Sequence, residues 1–454
     1  MYNCLEVMKM EESGLLTGSI YKYLAVLAFP LLLGNILQQL YNTIDSLIIG
    51  RILGTEAFAA VGVAGTIMNL LLFILSGFAI GVSVIFAHLY GAGDLEGFRK
   101  EVFTALIFGS ILTLLLSWGA LLGTGSLLKL LRTPEELLSN ADRYLKIVLS
   151  GLLLAYLYNL FSNILRSIGN TKAPLYFLLG SMALNIGLDC LLVIGFSWGI
   201  SGAALATVLA QGAAAAGCFF YLKRQYGDLL CKKRDVGIHS SLVKKTLWFG
   251  MVSALQESSL YLGKLLVQGK VNTLGTAAIA AYTATIRMEG LANSFGDSGC
   301  QAEAIFVSQN FGAGKQKRVQ GAFRKSLVLH VLLGLTISLV MFAAAGTAMK
   351  LFFDESGEQA FADGVSYLRI VSLVYILNFI GSSLVGYLKG VGQMAVPFIG
   401  TTLNISIRVI LSWLFLEQGG LTFLAWATGI GWGAIVAYLA IYCFFQRFHK
   451  NHPA

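Results

Sequence analysis

The chain has 454 residues, of which 56% are hydrophobic and only 12% are charged, and its mean hydropathy is +0.74. A typical soluble domain carries about twice that charged fraction, so the composition excludes an ordinary soluble domain. The net charge of +9 does not indicate a nucleic-acid partner, because Lys and Arg are concentrated in alternate connections between apolar stretches. The composition therefore predicts a polytopic protein embedded in a lipid bilayer.

Apolar stretches of about 20 residues or more recur along the chain, and each can cross a hydrocarbon core about 30 Å thick. They predict an all-α membrane protein with twelve transmembrane helices. The predicted spans cover residues 20–50, 57–88, 98–123, 142–167, 174–196, 199–223, 242–271, 277–309, 322–350, 364–389, 396–416 and 420–448.

The positions of the basic residues predict the orientation. The densest basic segment, 221–248, separates the sixth and seventh spans, whereas the connections at 195–201 and 416–422 contain no Lys or Arg. Under the positive-inside rule, this asymmetry places both termini and the 224–241 segment in the cytoplasm. Residues 1–19 contain acidic side chains and no cleavage motif, so we expect the first span to be a retained helix and not a signal peptide.

The two halves of the chain resemble each other. LGTEAFAAVG from Leu53 matches LGTAAIAAYT from Leu274, and YGAGDLEGFRK from Tyr90 matches FGAGKQKRVQGAFRK from Phe311, both at an offset of 221. Each half holds six predicted spans, so both enter the membrane from the same face and are related by an axis along its normal. We predict two pseudo-symmetric six-helix bundles: an N-terminal lobe over 1–223, a cytoplasmic basic linker over 224–241 and a C-terminal lobe over 242–454.

One face of the first span is polar. Its side chains recur at spacings of three and four residues, which places them on one side of a helix; they are Asn35, Gln38, Asn42 and Asp45. Contact of such a face with lipid would be unfavourable, so we expect it to face protein or water. The amides are therefore candidate polar residues of a cleft. Pro30 removes a backbone hydrogen bond near the start of this span and is predicted to act as a hinge.

Asn185 and Asp189 in the fifth span are one helical turn apart and share a face. With Asp45 they indicate a cation site, to which Asn163 of the fourth span and Thr207 of the sixth can add oxygen atoms. Carboxyl groups at this depth can bind and release a proton, and the same oxygens are hard ligands that can hold Na⁺. The residue types do not distinguish H⁺ from Na⁺ as the bound cation. The alternative is that these are hydrogen-bonded side chains that only join helices.

Within the predicted spans of the second half, the acids lie in the seventh and eighth spans, at Glu257, Glu289, Asp297 and Glu303. Ion pairs within the membrane can account for most of them, whereas Glu257, Asp297 and Glu303 are also candidate polar residues of a cleft. Arg408 occupies the place equivalent to Asp189, so the cation site is predicted in the first half only. The cysteines and histidines show no metal-ligand spacing, so we predict no cofactor and no metal other than Na⁺.

These features together resemble the multidrug and toxic compound extrusion (MATE) transporters of bacteria, a twelve-helix family with two six-helix lobes. The resemblance runs through nearly the whole chain and looks closer to the DinF-type than to the NorM-type branch. It is most specific over residues 29–62, 165–176, 184–211 and 307–315. One departure is Met251, which stands where the family's seventh helix usually has a proline.

The resemblance implies site residues. Asp45 matches the acid of the family's first helix, and Asn185 with Asp189 matches its fifth-helix pair. Thr207 matches the sixth-helix hydroxyl, and Asn163 matches the fourth-helix amide.

The resemblance also implies a function. It implies an antiporter of the cell membrane that exports drugs or other organic, mainly cationic, compounds in exchange for inward H⁺ or Na⁺. We expect a monomer with no enzymatic activity. An alternative is a flippase for lipid-linked oligosaccharides from the same superfamily, for which Lys264, Arg287 and Arg408 would supply the basic cavity.

Overall fold

A computed structural model describes residues 14–353 and 358–451 of the chain; for residues 42–48 and 447–451 it describes the backbone only. Nearly all of the described residues are helical, and none of them lies in a strand. This confirms the predicted all-α fold class.

Twelve long helices follow one another in the described part of the chain, and they correspond to the twelve predicted spans. In the first half, α1 and α2 are the two parts of Ile20–Gly91, α3 is Leu95–Leu122, α4 joins Glu135–Ser150 to Leu152–Ser167, α5 is Lys172–Asp189 and α6 is Gly199–Gln225. In the second half, α7 is Ser240–Val271, α8 is Thr276–Gly312, α9 is Gln316–Lys350, α10 is Glu358–Gly390, and α11 and α12 are the two parts of Ala395–Asn451.

Most of these helices have the length and composition of membrane spans. Within the described residues, eight helical stretches are both long enough and apolar enough to cross a membrane. Helix α4, which is bent by 45°, is a ninth if its two parts form one span. One of the eight stretches, Ala395–Gln446, contains two helices, α11 and α12. Helices α7 and α8 are not among these stretches, because both carry ionisable side chains along their length and are less apolar.

The two longest helical stretches are each broken at a glycine. Gly54, with φ 86° and ψ 178°, divides residues 20–53 (α1) from 55–91 (α2). Gly420, with φ 56° and ψ −156°, divides residues 395–419 (α11) from 421–451 (α12). A positive φ combined with ψ near 180° is essentially restricted to glycine.

The glycines with positive φ also repeat between the halves. Gly275 has φ 94° and ψ 174°, nearly the values of Gly54, and lies 221 residues after it. The other described glycines with positive φ form three similar pairs, Gly93 with Gly314, Gly169 with Gly392, and Gly199 with Gly420. The same backbone turns therefore occur in the same order in both halves, as the sequence repeat predicts.

We expect Gly54→Ala to lower the free energy of unfolding by about 1–3 kcal/mol, because alanine must adopt a conformation that suits glycine alone. An added Cβ would meet no atom within 4 Å, so the effect is conformational and not steric. The matched control is Gly62→Ala, a helical position of α2 where an added Cβ is equally unobstructed. The thermal unfolding midpoints of the purified proteins measure the effect; equal midpoints for the two variants would contradict it.

The packing divides the chain into two compact units. The first unit comprises Leu33–Ser258, and the second comprises the described residues before Leu33 together with those after Ser258. Each has its own hydrophobic core: Phe78, Phe98 and Tyr156 are buried in the first, and Tyr282, Tyr367 and Tyr375 in the second. The lobe boundaries at 223 and 242 stay a prediction.

The basic segment 224–241 is folded against the first unit. Leu229 is buried in its core, and the Arg99 side chain of α3 donates from Nε to Asp235 Oδ2 at 2.8 Å. The same oxygen accepts from the Lys232 backbone N–H at 3.0 Å. Burial opposes the ionisation of Asp235, but the hydrogen bonds from Lys232 and Arg99 outweigh it and hold the pKa of this carboxyl below its usual value.

Candidate cation site

Asp189 lies at the last position of α5, where the helical geometry changes. A π-helical turn, Cys190–Gly195, follows it directly. Such turns occur often at functional sites, because they re-aim the side chains around them. Gly202 lets α6 approach this turn, since a Cβ on Gly202 would lie only 3.1 Å from the Leu192 backbone carbon. The local backbone thus brings the end of α5 close to α6.

Asn185 connects three helices around Asp189. Asp189 is completely buried and Asn185 is 1% exposed. With the amide in the orientation that its neighbours require, Asn185 donates from nitrogen to Asp189 Oδ2 at 3.0 Å and accepts from the Thr207 backbone N–H of α6 at 3.1 Å. Tyr41 Oη of α1 lies 2.6 Å from the same amide group. We call Tyr41, Asn185, Asp189 and Thr207 the Asp189 site.

Two of the predicted oxygen ligands are engaged within their own helices. The Thr207 hydroxyl donates to the Ala203 carbonyl at 3.1 Å, so Thr207 reaches the site through its backbone. Asn163 is buried, and its amide donates to the Asn159 carbonyl at 2.9 Å. A direct role of these two side chains in holding a cation stays a prediction.

The predicted polar face of α1 is only partly within the described side chains. Asn42 and Asp45 lie outside them, so the pairing of Asp45 with Asp189 stays a prediction. Asn35 and Gln38 are half-buried. Pro30 is buried within an uninterrupted helical stretch, because the non-helical residue of Ile20–Gly91 is Gly54; its role as a hinge also stays a prediction.

The Asp189 site can hold one positive charge. An amide N–H can donate to a carboxylate oxygen and, more weakly, to the carbonyl oxygen of a protonated acid, so Asn185 can hold Asp189 in place in either charge state. The carboxyl and phenol oxygens of Asp189 and Tyr41 are also hard ligands of the kind that Na⁺ accepts. The chemistry of the site therefore fits H⁺ or Na⁺.

Tyr41 is the site residue that the sequence reasoning missed. Its signal was present, because Tyr41 precedes Asp45 by four residues and so lies on the polar face of α1. The contact to Asn185 spans 144 positions of the chain, and no spacing rule within one helix predicts it.

The acids of the second half occupy different environments. Asp297 is exposed and Glu257 is half-buried. Glu289 is buried, and the half-buried Arg408 donates to Tyr282 Oη at 3.3 Å. Among the described residues no ion pair within 4.0 Å joins Glu289 to Arg408, so charge pairing of these acids stays a prediction.

Glu303 differs from these acids. It is completely buried, in a cluster formed by α8, α9 and α10.

A family model named MatE matches residues 30–191 and again residues 253–414. The chain belongs to the MatE family. The two matches fall one in each half, so the unit that defines the family occurs twice, at nearly the offset of the sequence repeat. The MATE resemblance is thereby confirmed, whereas the choice between the DinF-type and NorM-type branches stays a prediction.

Curated MatE-family relatives match over most of their length. The chain is 28% identical to "Probable multidrug resistance protein YpnP" of Bacillus subtilis over 94% of each chain. It is also 28% identical to "Probable multidrug resistance protein NorM" of Thermotoga maritima, over 85% of this chain and 83% of the relative.

Solved structures show the same fold. A MOP superfamily transporter from Pyrococcus furiosus aligns with a TM-score of 0.88 and 22% identity, over 97% of this chain and 98% of the other. A variant of a Vibrio cholerae MATE transporter aligns with a TM-score of 0.87 and 22% identity, over 96% and 98%. The described helices thus have the architecture of MATE and MOP transporters.

Proposed function

We propose that this MatE-family protein is a secondary active antiporter that exports organic, mainly cationic, compounds in exchange for inward H⁺ or Na⁺. The observation that carries the proposal is the buried contact between Asp189 and Asn185. An ionisable residue at this depth is costly, and such residues mark ion pathways in membrane proteins. The names of the relatives, multidrug resistance and multidrug export proteins, support an organic substrate.

Three residues of the Asp189 site, Asp189, Asn185 and Tyr41, have roles in this mechanism. Asp189 binds the cation, and Asn185 holds the carboxyl in place in both charge states. Since Asn185 also contacts Tyr41, a change at Asp189 reaches α1, where the sequence predicts Asp45 as the second carboxyl and Pro30 as a hinge. Coupling by alternating access requires only that cation and substrate prefer different conformations.

The cellular setting follows from the sequence pattern. We propose a multi-pass monomer of the inner cell membrane with both termini in the cytoplasm, because basic residues mark the connections on that side. Its partners are the lipid bilayer and a small organic substrate, with no nucleic acid, no cofactor and no catalytic step.

The alternative of a lipid-linked oligosaccharide flippase is not favoured. A flippase would need a basic cavity with free cationic groups for the pyrophosphate. Arg408, a main candidate for that role, is half-buried and hydrogen-bonded to Tyr282. The curated relatives carry the names of drug-resistance proteins.

Reconstitution into proteoliposomes tests the proposal. A pH gradient and a Na⁺ gradient are imposed separately, and the movement of a fluorescent organic cation is followed in each case. We expect movement against the cation's own gradient under one of the two conditions, which also identifies the coupling ion. Absence of a response to both gradients, with fluorescent cation bound to the protein, would contradict antiport.

A further inference from the structure

Glu303 of α8 lies in a buried polar cluster that the Asp189 site does not use. Its Oε2 accepts hydrogen bonds from the hydroxyls of Ser326 of α9 at 2.6 Å and Ser383 of α10 at 2.9 Å. His330 of α9 extends the cluster, because its Nδ1 lies 3.2 Å from Ser326 Oγ and 2.9 Å from the Ser326 carbonyl oxygen. All four side chains are buried, and we call them the Glu303 cluster.

Two atoms of the Glu303 cluster have hydrogen-bonding capacity that the described residues leave unused. Glu303 Oε1 and His330 Nε2 are both buried without a hydrogen-bond partner. Buried atoms of this kind are uncommon and call for a proton, a water molecule or an ion. Na⁺ fits poorly, since both serine hydroxyls are directed to Oε2 and the other open atom is a nitrogen, whereas Na⁺ needs several oxygen ligands. A proton on Glu303 Oε1 requires no further ligand.

Glycines shape the pocket around the cluster. A Cβ on Gly299 of α8 would lie 2.5 Å from His330 Nε2, so His330 occupies space that only glycine leaves open. A Cβ on Gly386 of α10 would lie 2.7 Å from the Cys300 carbonyl oxygen and 3.3 Å from Glu303 Cβ. The two glycines therefore allow α8, α9 and α10 to pack closely at the level of Glu303.

Glu303 has no ion-pair partner among the described residues, because no described Lys, Arg or His nitrogen lies within 4.0 Å of its carboxyl oxygens. The ionisable groups on these helices include His330 of α9, the Cys300 thiol one turn earlier on α8, and Lys389 further along α10. Arg324 and Lys325 directly precede Ser326 on α9. The first part of α1 contributes leucines such as Leu27 to the packing around α8. An isolated carboxylate would be far more costly to bury here than the neutral acid.

We propose that the Glu303 cluster is a second proton-binding site, in which Glu303 holds one proton as a neutral acid near a neutral His330. Glu303 Oε1 carries the proton, and Oε2 is the carbonyl oxygen to which both serines donate. Exchange of this proton during transport rests on the proposed antiport, whereas its presence in the resting protein does not.

Infrared spectroscopy of the purified full-length protein at neutral pH tests the site without substrate or gradient. We expect the difference spectrum between wild type and Glu303→Gln to show the loss of one protonated carboxyl group. The matched control is Glu136→Gln, which makes the same change at an exposed acid of α4 and should leave the protonated-carboxyl absorption unchanged. Identical protonated-carboxyl absorption in wild type and Glu303→Gln would overturn the proposal.

Ser383→Ala keeps the acid and removes one of the two hydrogen bonds to its carbonyl oxygen. Because hydrogen bonding weakens a C=O bond, we expect the carboxyl band to persist and move to higher frequency. An unshifted band would place the proton elsewhere and overturn the proposal. Neither infrared measurement depends on transport. If Glu303→Gln loses the carboxyl band but the wild-type protein moves no substrate under a pH or a Na⁺ gradient, the proton site is supported and antiport is contradicted.

Discussion

Asp189→Asn should strongly reduce gradient-driven efflux and leave the fold intact. Asparagine has the shape of aspartate and can still accept the hydrogen bond from Asn185, but it cannot exchange a proton or give Na⁺ a charged ligand. Coupling free energies of about 1–3 kcal/mol correspond to factors of about 5–150, so we expect gradient-driven efflux to fall by about tenfold or more. The rate is measured in proteoliposomes with equal amounts of wild type and variant.

A control separates lost coupling from lost structure. Glu136→Gln neutralises an exposed acid at the start of α4 and should transport like wild type. Binding of the fluorescent cation by Asp189→Asn should persist, because the variant loses the driving ion and not the substrate. Gradient-driven efflux at the wild-type rate in Asp189→Asn would show that this carboxyl is structural.

The repeat and the turns could be predicted from the sequence because they depend on local signals. A span is recognised by its apolar length, and the break between α1 and α2 at Gly54 recurs at Gly275 in the same short motif. The contact between Asn185 and Asp189 could be predicted for the same reason, since residues four positions apart share a helix face.

Contacts between distant helices could not be predicted in this way. Tyr41 reaches Asn185 from another helix, and Glu303 meets Ser326 and Ser383 from two others. In a membrane bundle, lipid-facing and protein-facing surfaces are similarly apolar, so the sequence pattern does not reveal which face of α8 is packed. From the sequence Glu303 is a candidate for either an ion pair or a polar cleft, and its burial against Ser326 and Ser383 comes from the structure alone.

The segment 224–241 shows the same limit. Its basic composition predicts a cytoplasmic connection, but composition does not reveal that one of its acids pairs with Arg99, 136 positions earlier. The buried pair shows that this segment is a docked part of the first unit, which gives the segment a measurable stability of its own.

Asp235→Asn should release this segment from the first unit. The Arg99 and Asp235 side chains are 7% and 1% exposed, and removing one charge leaves the other buried without its partner. Breaking such a pair costs about 3 kcal/mol, which corresponds to a rise of on the order of 100-fold in the population of the released segment. Limited trypsin digestion at the basic residues 232–234 should accelerate accordingly, since cleavage follows the population of the open form.

The control is Asp228→Asn, which removes an exposed pair with Lys232 in the same segment and should cost less than about 1 kcal/mol. The effect of Asp235→Asn should also depend on pH. Since the pKa of Asp235 is lowered in the folded protein, its stabilisation is complete above the ordinary aspartate value of about 3.9 and is lost as the pH falls through the lower folded value. Pepsin cleavage near Leu229, compared between wild type and Asp235→Asn, should therefore converge in strong acid. A difference that stays constant down to the lowest pH would show that the carboxylate charge is not what holds the segment.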